Sequence, residues 1–209
     1  MNTLIGIAAV AIVAWFAAGT IWNVRRGQAR MRWMQDGLKT LGERTTVRWL
    51  GSTAVEMSIR DARTPFAGVT LVIFLEPRDL PWWPLSHLRG RRDTLIVRGN
   101  LRRAPSLEIE ALDPKSWSGR TALARVPREW HVRQAAADGE VIVHHESAAA
   151  LERAGALLAL ARRTGKTVWR LSVRRVEPHF QLHVPLPDSR QSARDFFGAL
   201  RTLAERTLA

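Results

Sequence analysis

A run of 22 residues without a charge, residues 3–24 (TLIGIAAVAIVAWFAAGTIWNV), constrains this chain more than any other feature. As a helix it extends roughly 33 Å at about 1.5 Å per residue, enough to cross a hydrocarbon core of about 30 Å. It is apolar on every side, unlike the surface helix of a soluble protein. Trp22 falls where an indole sits at the headgroup level, and Trp15 falls within the span. Arg25, Arg26, Arg30 and Arg32 follow at once, and no charge precedes the run. The positive-inside rule then places the N-terminus outside and the remainder in the cytoplasm, as a single-pass protein of the cell membrane. Trp15, Trp22, Arg25 and Arg26 are the expected anchoring residues. The competing reading is a cleavable signal peptide cut before Thr20, after the small residues Ala17 and Gly19. It is disfavoured by an n-region without Lys or Arg and by an apolar run longer than the usual signal core.

The rest suits one soluble domain, or two small halves sharing a core at about 43–113 and 122–209. With 46% hydrophobic and 24% charged residues it reads as globular. Net charge is +13, and 29 of the 32 bases are Arg, the three lysines being Lys39, Lys115 and Lys166. That ratio fits a GC-rich genome, but the excess of bases over acids is a separate fact. Residues 24–48 and 78–103 each carry seven bases and two acids, and residues 153–175 carry seven bases and no acid. Such patches attract anionic lipid headgroups, an acidic protein or nucleic acid. No Cys is present, which excludes disulfide scaffolds, thiolate catalysis and Cys-ligated metal.

Residues 25–42 read as a juxtamembrane amphipathic helix continuing the anchor. Met31, Met34, Leu38 and Leu41 share a face that docks on the domain in preference to the bilayer, and Gly42 ends the helix. Strands follow. Residues 47–49 and 55–59 alternate around the Gly51-Ser52 turn, 66–75 is apolar enough for a central strand, and 94–98 and 106–112 come next. Segments 130–134 and 140–145 flank Asp138-Gly139, a hairpin signal. Ser147 can cap a helix to about 163 with Leu151, Ala154, Leu158 and Ala161 on one stripe. Strands at 167–175 and 179–184 precede a last helix opened by Asp188 or Ser189, with Phe196, Phe197, Leu200, Leu203 and Ala204 inward. The expected fold is α+β: one transmembrane helix, then a mainly antiparallel sheet with about three helices. A helix leads into Thr45-Thr46-Val47-Arg48-Trp49-Leu50 and again into Lys166-Thr167-Val168-Trp169-Arg170-Leu171, a weak internal echo.

No motif carries a reaction. Gly165-Lys166-Thr167 lacks the upstream glycine of a phosphate loop, Leu160 standing there, and helix precedes it where a strand should. His144 and His145 face opposite sides of a strand, while His179 and His183 lie about 13 Å apart along one. Neither pair chelates a metal locally; His131, His145 and Glu146 across the hairpin are the remaining candidates. Glu108 and Glu110 alternate with Leu107, Ile109 and Ala111 and read as a solvent face. Glu76, Arg78 and Asp79 read as an ion-pair turn. The tandem indoles of Leu80-Pro81-Trp82-Trp83-Pro84-Leu85, followed by Arg89, Arg91 and Arg92, read as a stiff loop. It is folded onto the core, or displayed to a membrane surface, nucleic acid or a protein.

No catalytic residue, metal site or cofactor is assigned. The expected role is a membrane-tethered adaptor or scaffold whose basic domain lies near the inner leaflet and engages a protein partner or a second copy. The alternatives are a tethered nucleic-acid binder and an enzyme of unfamiliar type with a cleft near Glu76 or the histidine hairpin.

Overall fold

Alternating apolar and polar residues commit nine segments to one sheet, and a long apolar segment precedes them all. The computed structural model describes residues 2–128, 130–134, 141–144, 148–164, 167–188 and 190–208. In chain order the elements are α1 (Asn2–Leu38), β1 (Thr45–Trp49), β2 (Ala54–Ile59), β3 (Phe66–Phe74), α2 (Trp83–Leu88), β4 (Thr94–Leu101), β5 (Ile109–Leu112), α3 (Trp117–Leu123), β6 (His131–Gln134), β7 (Val141–His144), α4 (Ala148–Ala161), β8 (Arg170–Val173), β9 (Phe180–Pro185) and α5 (Ala193–Leu208). The fold is α+β, with an antiparallel sheet ordered β1-β2-β3-β4-β9-β8-β5-β7-β6.

One sheet face packs under α1, α4 and α5. Val55, Met57 and Ile59 of β2, Leu71 and Ile73 of β3, and Leu182 and Val184 of β9 meet Met34, Leu38, Leu158, Phe196 and Leu200 in a single core. Helix α5 forms because its apolar residues recur at helical spacing, while the Ser192 hydroxyl accepts the Asp195 N–H at 3.3 Å to cap its start. The opposite face carries one polar row in register across six strands: Ser58, Thr70, Arg98, Gln181, Ser172 and Glu110. At its β5 end a small second core of Leu112, Ala122 and Trp130 forms beneath α3.

Helix α1 runs from Asn2 to Leu38 with no break at residue 24. Met34, Leu38 and Leu41 are buried and Met31 partly so, because this stretch lies along the sheet beside α5. Two short helices were not expected. Residues 83–88 form α2 where a stiff loop was expected, with proline at its start, the place in a helix that needs no N–H. Helix α3 is capped by Ser116, whose Oγ accepts the Gly119 N–H at 2.9 Å.

Strands β5 and β8 are shorter than alternation suggested. β6 and β7 pair antiparallel as hairpin arms. The Asp138-Gly139 turn, the Ser147 cap, Gly165-Lys166, His145, Glu146 and Ser189 lie outside the described residues. The echoed segments both enter antiparallel strand pairs, β1 with β2 and β8 with β9, but β1 is a sheet edge and β8 is interior.

Candidate functional site

The chain leaves β3 through Glu76, Arg78 and Asp79, turns into α2, and returns through Asp93 to β4. Because β3 and β4 are neighbours, the ends of this excursion meet: the Glu76 N–H donates to Asp93 Oδ1 at 2.8 Å. Arg78 is buried between them. Its Nη1 and Nη2 reach Asp93 Oδ1 and Oδ2 at 3.0 and 3.2 Å, a two-pronged guanidinium–carboxylate pair. Nη2 also reaches Glu76 Oε1 at 3.4 Å, and Nη1 donates to Asn23 Oδ1 of α1 at 3.2 Å. From the next turn of α1, Arg26 Nε donates to Asp93 Oδ2 at 2.5 Å. From α2, Trp83 Nε1 donates to Glu76 Oε2 at 2.7 Å, and His87 Nδ1 lies 2.8 Å from the same oxygen. The Arg78 guanidinium sits 5.9 Å from the Trp22 ring centre and 5.7 Å from that of Trp83, a cation beside a pair of packed indoles.

Two carboxylates and two guanidiniums balance in this cluster. Burial alone would raise the Asp93 carboxyl. The hydrogen bond and charge of Arg78, the Glu76 N–H and Arg26 outweigh it and hold Asp93 below the usual carboxylate range. Asp79 turns away from Arg78 and accepts from Ser52 Oγ at 2.9 Å, tying in the β1–β2 turn. The approach of α1 is close: a Cβ on Gly19 would lie 2.4 Å from the Arg78 carbonyl oxygen and from Asp79 Cα. The ion-pair turn expected at residues 76–79 is therefore present as an Arg78–Glu76 contact, extended by Asp93, Arg26 and Asn23. With both oxygens of Glu76 and of Asp93 engaged, this arrangement joins α1, the sheet and α2 into one unit. Removing one partner of such a buried pair costs about 3–5 kcal/mol.

Trp15 lies in the exposed stretch of α1, and Trp22 packs on Trp83 with ring centres 6.0 Å apart. Arg25 is exposed, whereas Arg26 is engaged by Asp93. Trp82 is 57% exposed and Trp83 is half-buried, so the tandem indoles divide between surface and cluster. Arg89 and Arg91 are exposed, while Arg92 Nη1 donates to the His87 carbonyl at 2.7 Å at the end of α2.

A second buried carboxylate corrects the solvent-face expectation for the Glu108/Glu110 strand. Glu110 is 1% exposed, and Arg170 Nε and Arg174 Nη2 donate to its two oxygens at 2.6 and 2.7 Å. The Arg174 guanidinium in turn stacks 4.0 Å from the Trp130 ring centre. Polar alternation here marks the sheet's second face, which α3 and Trp130 cover at this end. Glu108 Oε1 accepts the Arg175 N–H at 3.1 Å.

His179 and His183 stand apart from the Arg78 cluster. His179 Nδ1 accepts the Leu101 N–H at 3.1 Å, and His183 lies in register with Ile96 and Arg170. Burial first, then the charges of Arg170 and Arg98, push the His183 pKa down to about 3. Among the described residues no three His, Asp or Glu side chains gather as metal ligands. An open groove of 540 Å³ between α1 and β1 is lined by Met31, Leu38, Val47 and Met57 with Arg32 and Lys39, away from Glu76.

Asn23, His87 and Asp93 were missed by sequence reasoning. Asn23 had a readable signal, as the one carboxamide inside residues 3–24, since polar groups in such a run need a partner. Asp93 had none, because its partners are 15 and 67 residues away. The chain matches no known protein-family model, and no curated protein resembles it in sequence.

Proposed function

We propose that this protein is a membrane-tethered, non-enzymatic adaptor or scaffold, with its N-terminus outside and its basic domain held in the cytoplasm against the inner leaflet of the cell membrane. The observation that carries it is continuity. One helix long and apolar enough to cross a membrane passes without a break from its exposed stretch into a segment packed along the sheet. No linker lets the domain roam, so it stays at a fixed height and tilt above the lipid. Arg25, Arg26, Arg30 and Arg32 behind the span support the inward orientation, and the net charge of +13 supports attraction to an anionic leaflet. The sheet face opposite α1, α4 and α5, with exposed Arg48 and Arg98, is the surface offered to a protein partner or to a second copy.

The test uses full-length protein in its native membrane. It should stay in the membrane pellet through an alkaline carbonate wash, resist protease added outside intact cells, and co-purify with a defined protein or with a differently tagged copy of itself. A mature chain beginning near Thr20 and free outside the cell would overturn the reading.

A further inference from the structure

We infer that the end of the sheet from which α1 emerges is a second membrane-binding surface, which seats α2 in the headgroup layer of the bilayer that holds the helix; this rests on the tethered reading above. Two ends of the domain are distinguishable. Helix α1 meets the domain at Gly19, beside Arg78 and Asp79, and runs to the far end, where Gly42 bridges Ala62 and the Arg63 N–H donates to the Leu41 carbonyl. Its exposed residues 3–18 therefore project past the end marked by Trp49, Ala54, Phe74 and Thr94.

Exposed apolar side chains gather at that same end. Leu50 follows β1, Phe74 ends β3, and Trp82, Leu85 and Leu88 belong to α2, with Leu88 81% exposed. The far end exposes the charged residues Arg60, Asp61, Arg63, Arg102 and Arg103, with Val176 as a single large apolar side chain among them. Helix α2 cannot swing away, since Trp83 is bonded to Glu76 and packed on Trp22. Arg89 and Arg91 follow α2, exposed, where lipid phosphates would lie.

Geometry brings α2 to the level of the lipid. Ile21 and Trp22, 52% and 53% exposed, carry the apolar surface of α1 past Gly19, and Trp22 packs on Trp83 of α2 with ring centres 6.0 Å apart. A bilayer that covers the exposed apolar residues of α1 up to Trp22 therefore reaches α2. That depth is favourable only for an apolar rim with aromatic and basic residues, which is what this end presents.

The chain has no cysteine, so single substitutions report one place each. Full-length Leu85→Cys, Leu88→Cys, Val10→Cys and Val176→Cys variants, spin-labelled and reconstituted in vesicles of neutral and anionic lipid, would be compared for collision with oxygen and with a water-soluble nickel chelate. All four positions are exposed, so folding is not at issue. The expected result is an oxygen-to-nickel ratio at 85 and 88 severalfold above that at 176 and below that at 10, as the headgroup layer requires. If 85 and 88 match 176 while 10 lies in lipid, the second surface is wrong and the tether stands. If 10 is water-exposed, the tether fails and the surface falls with it. Spin–spin broadening between Leu88→Cys labels of two copies would assign the rim to a second copy instead and overturn the lipid proposal.

Discussion

Helix α1 is one rod in two surroundings. Residues 3–18 expose every side chain, Leu4, Ile5, Ile7, Val10, Ile12 and Val13 among them, whereas residues 19–38 bury Met34 and Leu38 and engage Asn23 and Arg26. The glycines mark the change. A Cβ on Gly6 would meet nothing within 4 Å, while one on Gly19, Gly27 or Gly37 would meet a neighbour at 2.4–2.6 Å. Hydropathy changes only at Arg25, where the charges begin, whereas docking begins at Gly19; close backbone approach and the Asn23 carboxamide mark that earlier boundary, because a docked helix needs a bare face and a polar partner.

Acid should act most strongly, and on the domain that docks residues 19–38, since residues 3–18 carry nothing that titrates. His183 has an ordinary pKa of 6.5 when unfolded and about 3 when folded, so between these values the unfolded chain binds the extra proton and stability falls as pH falls. At about 1.4 kcal/mol per unit the loss approaches about 4 kcal/mol by the acid end of that window. Asp93 acts in the same direction: its pKa is lowered on folding, so its contribution is present above the usual carboxylate range and lost as pH falls through the folded value. Thermal unfolding in detergent across this range should show the decline, and His183→Leu should flatten the part between 6.5 and about 3. An unchanged limb would mean that His183 is protonated in the folded chain.

Arg78→Met comes next. It leaves Glu76 and Asp93 buried with less charge compensation and should lower unfolding stability by about 3 kcal/mol. Carbonate extraction should stay unchanged, because the apolar half is untouched. Gly19→Val should cost about 2 kcal/mol by forcing α1 off the Arg78–Asp79 backbone, and Gly6→Val should cost nothing in the same denaturation assay. Equal effects at the two glycines would erase the distinction between docked and free helix.

Much of the fold was legible because periodicity reports burial. Leu158 and Ala161 on α4, Phe196, Phe197 and Leu200 on α5, and Val55, Met57 and Ile59 on β2 all lie in the core, as their spacing required. Where periodicity and burial part company, reading failed. Glu110 alternates like a surface residue, but a sheet face covered by α3 and Trp130 encloses it, with Arg170 and Arg174 arriving from a strand some 60 residues away. Helix α2 is too short to show a period, and Pro84 within it and Pro81 before it resemble a loop. The cluster around Arg78 was visible as a local turn only, since Asp93 and Asn23 join it through strand pairing and helix docking, which no local pattern encodes.

Arg26→Gln gives the smallest effect and the finest test of where the anchor ends. Arg26 was expected to serve the membrane, yet its guanidinium is bonded to Asp93 and its side chain is 38% exposed. If its charge acts mainly on the cluster, Gln should cost about 1 kcal/mol of stability, discounted for solvent screening, and leave topology intact, because Arg25, Arg30 and Arg32 still bias the flank. If it acts mainly on orientation, stability should hold while protease accessibility from outside rises. Asp93→Asn supplies the matching arm: it should erase most of the Arg26→Gln difference if the two residues share one interaction, because coupled partners are not additive.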